Sequence, residues 1–219
     1  MQKRPVRKMA VKPKHIVKPA GPRIRKPAIT KQIWKPGAML FPLPVVMVTS
    51  LDANKQRTNI CTVAWTGTVC SDPPMLSISL RKERHSHSLI SETRELVVNV
   101  PGVEQVRATD YCGVVSGREV DKFKETGLTA APASKVKAAL ILECPLNLEC
   151  RVKKVLELGS HTMVVANVLA GQVNENLLTK SGRLALEQAG LATFIHGSYY
   201  SIGKKLGFFG YSIQKKPRK

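Results

Sequence analysis

The residues of this chain best equipped for chemistry lie between positions 58 and 88. In TNICTVAWTGTV, Asn59, Thr62, Trp65 and Thr66 fall on a strand that also carries Val63, Ala64 and Gly67, so amide, hydroxyl and indole groups face a region kept clear of bulk. The next run, SLRKERHSHS over 79–88, gathers Arg81, Lys82 and Arg84 with His85, His87 and the hydroxyls of Ser79, Ser86 and Ser88 at a strand-to-helix junction. A helix N-terminus presents unpaired N–H groups and a partial positive charge, so arginines and serines placed there form a seat for phosphate. The competing reading is a solvated basic loop with an ordinary serine N-cap. The planar and polar residues just upstream favour a phosphate-bearing aromatic ligand.

Other chemistries lack their residues. The sequence holds no Walker loop, G-x-S-x-G elbow, H-E-x-x-H helix or G-x-G-x-x-G run, and no metal site is expected. His161 opens an apolar strand after Gly159 and Ser160, where a satisfied structural histidine is the default. The five cysteines, Cys61, Cys70, Cys112, Cys144 and Cys150, form no CxxC pair, which points to a reduced, cytoplasmic protein with buried thiols. A redox role for Cys144 or Cys150 is the alternative.

The elements that must position these residues are mostly strands. LPVVMVTS (43–50), the turn DANK (52–55) and TNICTVAW (58–65) predict a β-hairpin; MLSISL (75–80) predicts a third strand and ELVVNV (95–100) a fourth. Between the last two, SHSLISETRE predicts a helix with Ser86 as N-cap. Two short helices are expected over 103–126, with Gly127 as a C-terminal stop, and long strands over 146–158 and 161–173. No βαβ rhythm is present, so the fold class is mainly β with inserted helices, and a closed or split barrel is the economical way to avoid exposed edges.

Outside this body the composition changes. The first 36 residues hold twelve of the 35 Lys and Arg, none of the 15 Asp and Glu, and six of the fourteen prolines. Such a segment cannot bury enough surface to offset its ordering entropy, so residues 1–33 are expected to form a disordered basic arm, and 214–219 a basic tail. The arm is open to three readings: a passive solvated tail, an electrostatic tether to nucleic acid or anionic lipid, or a targeting peptide. No long apolar run follows its bases, and its prolines oppose an amphipathic transit helix.

The segments WKPGAMLFPLPVVMV (34–48), TNICTVAWTGTVCSDPPMLSISLRKERHSHSLI (58–90), NVP (99–101), TDYCGVVSGREVDKFKETGL (109–128), LGSHTMVVANV (158–168) and SYYSIGKKLG (198–207) together resemble flavoredoxin and its flavin-reductase-like relatives. The resemblance spans roughly residues 34–213. It implies a homodimer of FMN-binding split β-barrels with non-covalent flavin near the subunit interface, and NAD(P)H or a protein partner as the source or destination of electrons. By the same resemblance Asn59 and Trp65 flank the flavin, with the backbone of Thr62, Val63, Ala64, Trp65 and Thr66 along its ring. Ser79, Arg81, Lys82 and Ser86 would hold the ribityl phosphate, and Leu80, His85 and Asn99 belong to the same binding set. Lys122 and His161 match positions that approach the flavin and are the catalytic candidates; Phe194 matches more loosely. Lys122 near the ring's N1/O2 edge would stabilise the anionic reduced form, so Lys122→Met is expected to lower the flavin midpoint potential in a folded dimer. His161 would shuttle a proton or position a nicotinamide. The alternatives are an FMN-holding electron carrier without NAD(P)H activity of its own and a nucleic-acid-associated protein acting through the arm.

Overall fold

The computed structural model describes residues 29–213, so the tail and most of the basic arm lie outside the described residues. Residues 29–38 carry no helix or strand, and the main compact unit starts at Met39. Its strands are β1 (Leu43–Pro44), β2 (Val46–Asp52), β3 (Arg57–Val63), β4 (Thr66–Ser71), β5 (Pro74–Leu80), β6 (Glu95–Val100), β7 (Ala130–Ala131), β8 (Leu140–Ile141), β9 (Leu146–Leu158), β10 (His161–Val173), β11 (Ala192–Ile195) and β12 (Ser198–Ser201). The helices are α1 (His85–Thr93), α2 (Val106–Val114) and α3 (Lys122–Thr126), with Gly127 closing α3 in the left-handed region at φ 70°. No described helix is long and apolar enough to cross a membrane.

One antiparallel sheet of seven strands, in the order β3-β2-β6-β9-β10-β5-β4, supplies the frame. Val46, Val48, Cys61, Val63, Leu76, Ile78, Leu96, Val98, Val152 and Val164 converge on a single core, joined by Ile90 of α1. β3, at one edge of the sheet, and β5, next to the other edge, therefore share one interior, and the sheet curls into a barrel. Two register shifts in the β9–β10 pair, at Val165/Ala166 and Val168/Ala170, add local twist that helps the long hairpin bend. β2 lacks the alternation of a half-solvated strand because both its faces are covered: Val46 and Val48 point into the barrel, while Met47 packs outside it with Ile60, Cys112, Ile141 and Cys144. A separate sheet, β1-β11-β12, makes Phe194 and Tyr199 cross-strand neighbours.

Three expectations need correction. The strand through Asn59 does not run on to Gly67: β3 ends at Val63, Ala64 and Trp65 turn the chain, and β4 folds back onto β5. Ser86 is not the N-cap of α1. Arg84 holds that position with no side-chain cap, and Ser86 is buried one residue inside the helix, where Asn59 Nδ2 donates to its Oγ at 2.8 Å. Asn99 is spent inside the sheet: its Nδ2 donates to the Met47 carbonyl at 2.9 Å and its Oδ1 accepts from Ile141 N and Asn147 Nδ2.

All five cysteines are free, and all but Cys70 are buried. Burial pushes the Cys112 thiol up to about 11 and those of Cys144 and Cys150 to about 12. In the unfolded chain these thiols ionise near pH ~8.5, so above that pH the unfolded state binds fewer protons and stability falls as pH rises toward the folded values. A thermal-unfolding series across the alkaline range should therefore show a falling Tm, with a shallower slope in Cys150→Ala. Equal slopes for the two proteins would mean that Cys150 titrates alike in both states.

Candidate functional site

Two adjoining cavities open beside the start of α1. The first, about 590 Å³, lies between the β5–α1 turn, the inner end of β3 and the α2–α3 loop. Arg81, Arg84, Arg118 and Lys122 line it with Asn59, His85, Ser86 and Ser116, and Glu83 is the one acid in its wall. Glu83 is engaged by Arg81, Nη1 to Oε1 3.3 Å. The uncapped N-terminus of α1 adds backbone N–H groups and the positive end of the helix dipole. Because Asn59 donates to Ser86 Oγ, the hydroxyl hydrogen of Ser86 is directed elsewhere than Asn59. This donor set suits an anion with several acceptor oxygens, such as phosphate.

The second cavity, about 330 Å³, is walled by Val45, Thr62, Val63, Ala64, Trp65, Ser79, Leu80, His161, Phe194 and Tyr199. Cys61, Arg81 and Arg84 belong to both walls, so the cavities meet at those residues. Trp65 and His161 lie with their rings parallel, interplanar angle 2° and centroids 6.2 Å apart. His161 Nδ1 is 2.9 Å from Ser160 Oγ, which fixes the ring on the hairpin end. Phe194 and Tyr199 meet edge to face at 5.5 Å. The Tyr199 hydroxyl donates to Asp110 Oδ1 at 3.0 Å; burial, reinforced by that carboxylate, pushes its pKa up to about 12. The wall is planar, aromatic and polar at a few fixed points, the makeup of a site for a flat heteroaromatic ring.

Most of the residues singled out in the sequence converge here, but three do not. Asn99 is in the sheet interior, as described above. Lys82 points away and pairs with Glu157 at 2.5 Å in an exposed contact. Thr66 is committed to β4, its Oγ1 donating to the Ser77 carbonyl at 2.8 Å. Lys122 is present but on the cationic side, in the first cavity and not in the aromatic one. It is 5% exposed, and its Nζ donates to the carbonyls of Ile60 and Cys112, each at 2.7 Å. Burial lowers its pKa, opposed by attraction from the Cys61 and Cys112 sulfurs.

Arg84, one of the cations of the basic run, lines both cavities. Sequence reasoning left out Cys61, Ser116, Arg118 and Tyr199 as site residues, although Tyr199 stood within SYYSIG. Only the folding of the α2–α3 loop onto the start of α1 brings Arg118 and Ser116 in. Arg84 Nη1 donates to the Gly113 carbonyl at 2.8 Å and Arg118 Nη1 to the Glu83 carbonyl at 3.0 Å, which ties that loop to the turn.

The flavin reductase like domain matches residues 38–203. The flavoredoxin of Desulfovibrio vulgaris (Miyazaki F) has a similar structure, with TM-score 0.79 and 28% identity over 84% of this chain and 100% of that one. An uncharacterized protein of Archaeoglobus fulgidus is 35% identical over 130 residues, 59% of this chain and 72% of that protein. The NADH:riboflavin 5'-phosphate oxidoreductase of Streptomyces pristinaespiralis is 25% identical over 145 residues, 64% of this chain and 76% of that enzyme.

Proposed function

Since the chain belongs to the flavin reductase like domain family and folds as its split β-barrel, we propose that this flavin-related oxidoreductase binds FMN and accepts hydride from NAD(P)H. The observation that carries the reading is the pair of joined cavities, one cationic at a helix N-terminus and one aromatic, sharing Arg81 and Arg84. The donors of the first cavity would suit the phosphate and the planar wall of the second the ring.

When bound, the flavin supplies the hydride and electron chemistry. The chain supplies position and charge. Arg81, Arg84, Ser86 and the first turn of α1 would hold the phosphate, while Trp65, Phe194 and Tyr199 would pack against the ring. His161, stacked with Trp65 and hydrogen-bonded to Ser160, is placed to orient an incoming ring or to hold a proton at its free Nε2. At the lip of the aromatic cavity Trp65 is 42% exposed, and Leu158, the cross-strand partner of His161, is 53% exposed. A second copy of the chain covering this lip would exclude water from the ring, and the proposed assembly is therefore a homodimer.

The likeness to flavoredoxin favours a second reading, an FMN-holding electron carrier with no NAD(P)H reaction of its own. Two measurements decide. Denaturing the purified protein should release FMN; FAD as the main flavin would refute the mononucleotide assignment. Anaerobic NADH or NADPH should bleach the bound flavin within the turnover range of flavin enzymes, and a spectrum unchanged by both donors would leave the carrier reading in its place.

A further inference from the structure

Two charged residues outside both cavities hold the walls of the cationic one. Asp52 and Arg57 are cross-strand partners where β2 and β3 join, and neither lines a cavity. On one side, Asp52 Oδ2 lies 3.3 Å from His85 Nε2, at the first residue of α1. Its Oδ1 accepts from Lys55 N at 3.1 Å, so this carboxylate is fixed by its own turn. On the other side, Arg57 Nη2 donates to the Gly117 carbonyl at 2.8 Å, in the loop that forms the facing wall. Gly117 in turn sits against Asn59: a Cβ there would lie 1.7 Å from Asn59 Oδ1, so only glycine permits the approach. Asn59 passes the constraint to Ser86 Oγ at 2.8 Å. A continuous path thus runs from Arg57 through Gly117 and Asn59 to the hydroxyl at the helix start, and a second runs from Asp52 through His85 to the same helix.

We propose that Asp52 and Arg57 are positioning residues that set the width and donor geometry of the anion seat, Asp52 by holding the start of α1 and Arg57 by holding the α2–α3 loop at Gly117 against it. The proposal rests on the reading that this cavity takes the flavin phosphate. It assigns the hairpin end a direct part in how long a phosphorylated flavin is retained. Loss of the Arg57 clasp frees the loop, and a seat misplaced by a fraction of an ångström loses charge-assisted hydrogen bonds without any wall residue being changed.

The test compares FMN with riboflavin, which carries the same ring and no phosphate, by fluorescence titration and stopped-flow release from the full-length apoprotein. Wild type should bind FMN more tightly than riboflavin. Arg57→Ala should raise the FMN release rate about tenfold while changing riboflavin affinity less than about twofold, and Arg57→Lys, which keeps one N–H for the Gly117 carbonyl, should recover most of the loss. Asp52→Asn should weaken FMN selectively in the same way. Retained riboflavin binding reports that the variants are folded. Equal affinity of wild type for FMN and riboflavin would overturn the phosphate-seat reading and the proposal together. A phosphate preference in wild type that persists undiminished in Arg57→Ala and Asp52→Asn, or a parallel loss of both ligands, would overturn the positioning role alone.

Discussion

An Arg84→Ala variant is expected to bind FMN roughly 100-fold more weakly than wild type, about 2 to 3 kcal/mol, the loss associated with charge-assisted hydrogen bonds to a desolvated anion. Arg84 combines roles that its neighbours hold singly. It stands in the wall common to both cavities, and its guanidinium donates to the Gly113 carbonyl at 2.8 Å, which fixes the end of α2. Removing it deletes a cation from the first cavity and loosens the opposite wall at once. Arg81→Ala should cost less, about 1 kcal/mol, because Arg81 is exposed and already engaged by Glu83. Titration of apoprotein with FMN measures both. An Arg84→Ala affinity within about threefold of wild type would place the phosphate elsewhere.

Lys122→Met is expected to lower stability by about 2 to 4 kcal/mol, a drop in Tm of roughly 5 to 15 °C for a chain of this size. The structure gives this residue a structural place of its own. Its ammonium is buried in the wall of the cationic cavity and donates to two strand and helix carbonyls, Ile60 O and Cys112 O. Methionine fills the volume but leaves both carbonyls without a donor, and an orphaned buried acceptor is the costly side of a lost hydrogen bond. The pH dependence separates this account from simple packing. Burial lowers the folded-state pKa of Lys122 below its ordinary 10.5, so between the lowered value and 10.5 the unfolded chain binds more protons. The stability that Lys122 contributes therefore rises with pH through that window, since even a neutral amine keeps two N–H bonds for its two acceptors. The stability gap between wild type and Lys122→Met should widen from neutral pH toward pH 10. A gap that is small, or that closes over this range, would remove Lys122 from its structural place.

The sequence by itself determined the strand-rich class, because β-branched runs bounded by Pro, Gly and Asx turns leave few alternatives over 43–100 and 146–173. It also determined one half of the site. Arg81, His85 and Ser86 are close in the chain, and a strand leading into a helix must bring such neighbours together whatever the rest of the fold does. Local logic failed where a residue's partner is distant. Asn99 sits in a recognisable motif, yet its amide is consumed by Met47, Ile141 and Asn147, brought to it by sheet pairing. Ser86 has the chemistry of an N-cap, but Asn59, 27 residues upstream, donates to its oxygen and the N-cap lies two residues earlier, at Arg84.

Only the tertiary structure decided the other half. Barrel closure brings Arg118 and Ser116 of the α2–α3 loop across from Arg81 and Arg84, and the β1-β11-β12 sheet sets Phe194 and Tyr199 against a wall built from β3, β5 and the start of β10. The physical reason is the range of the interactions. Hydrophobic periodicity and turn chemistry act over a few residues and are written locally, whereas a buried lysine's carbonyl partners, or an arginine's choice of the Gly117 carbonyl 60 residues away, depend on which surfaces the closed sheet forces together.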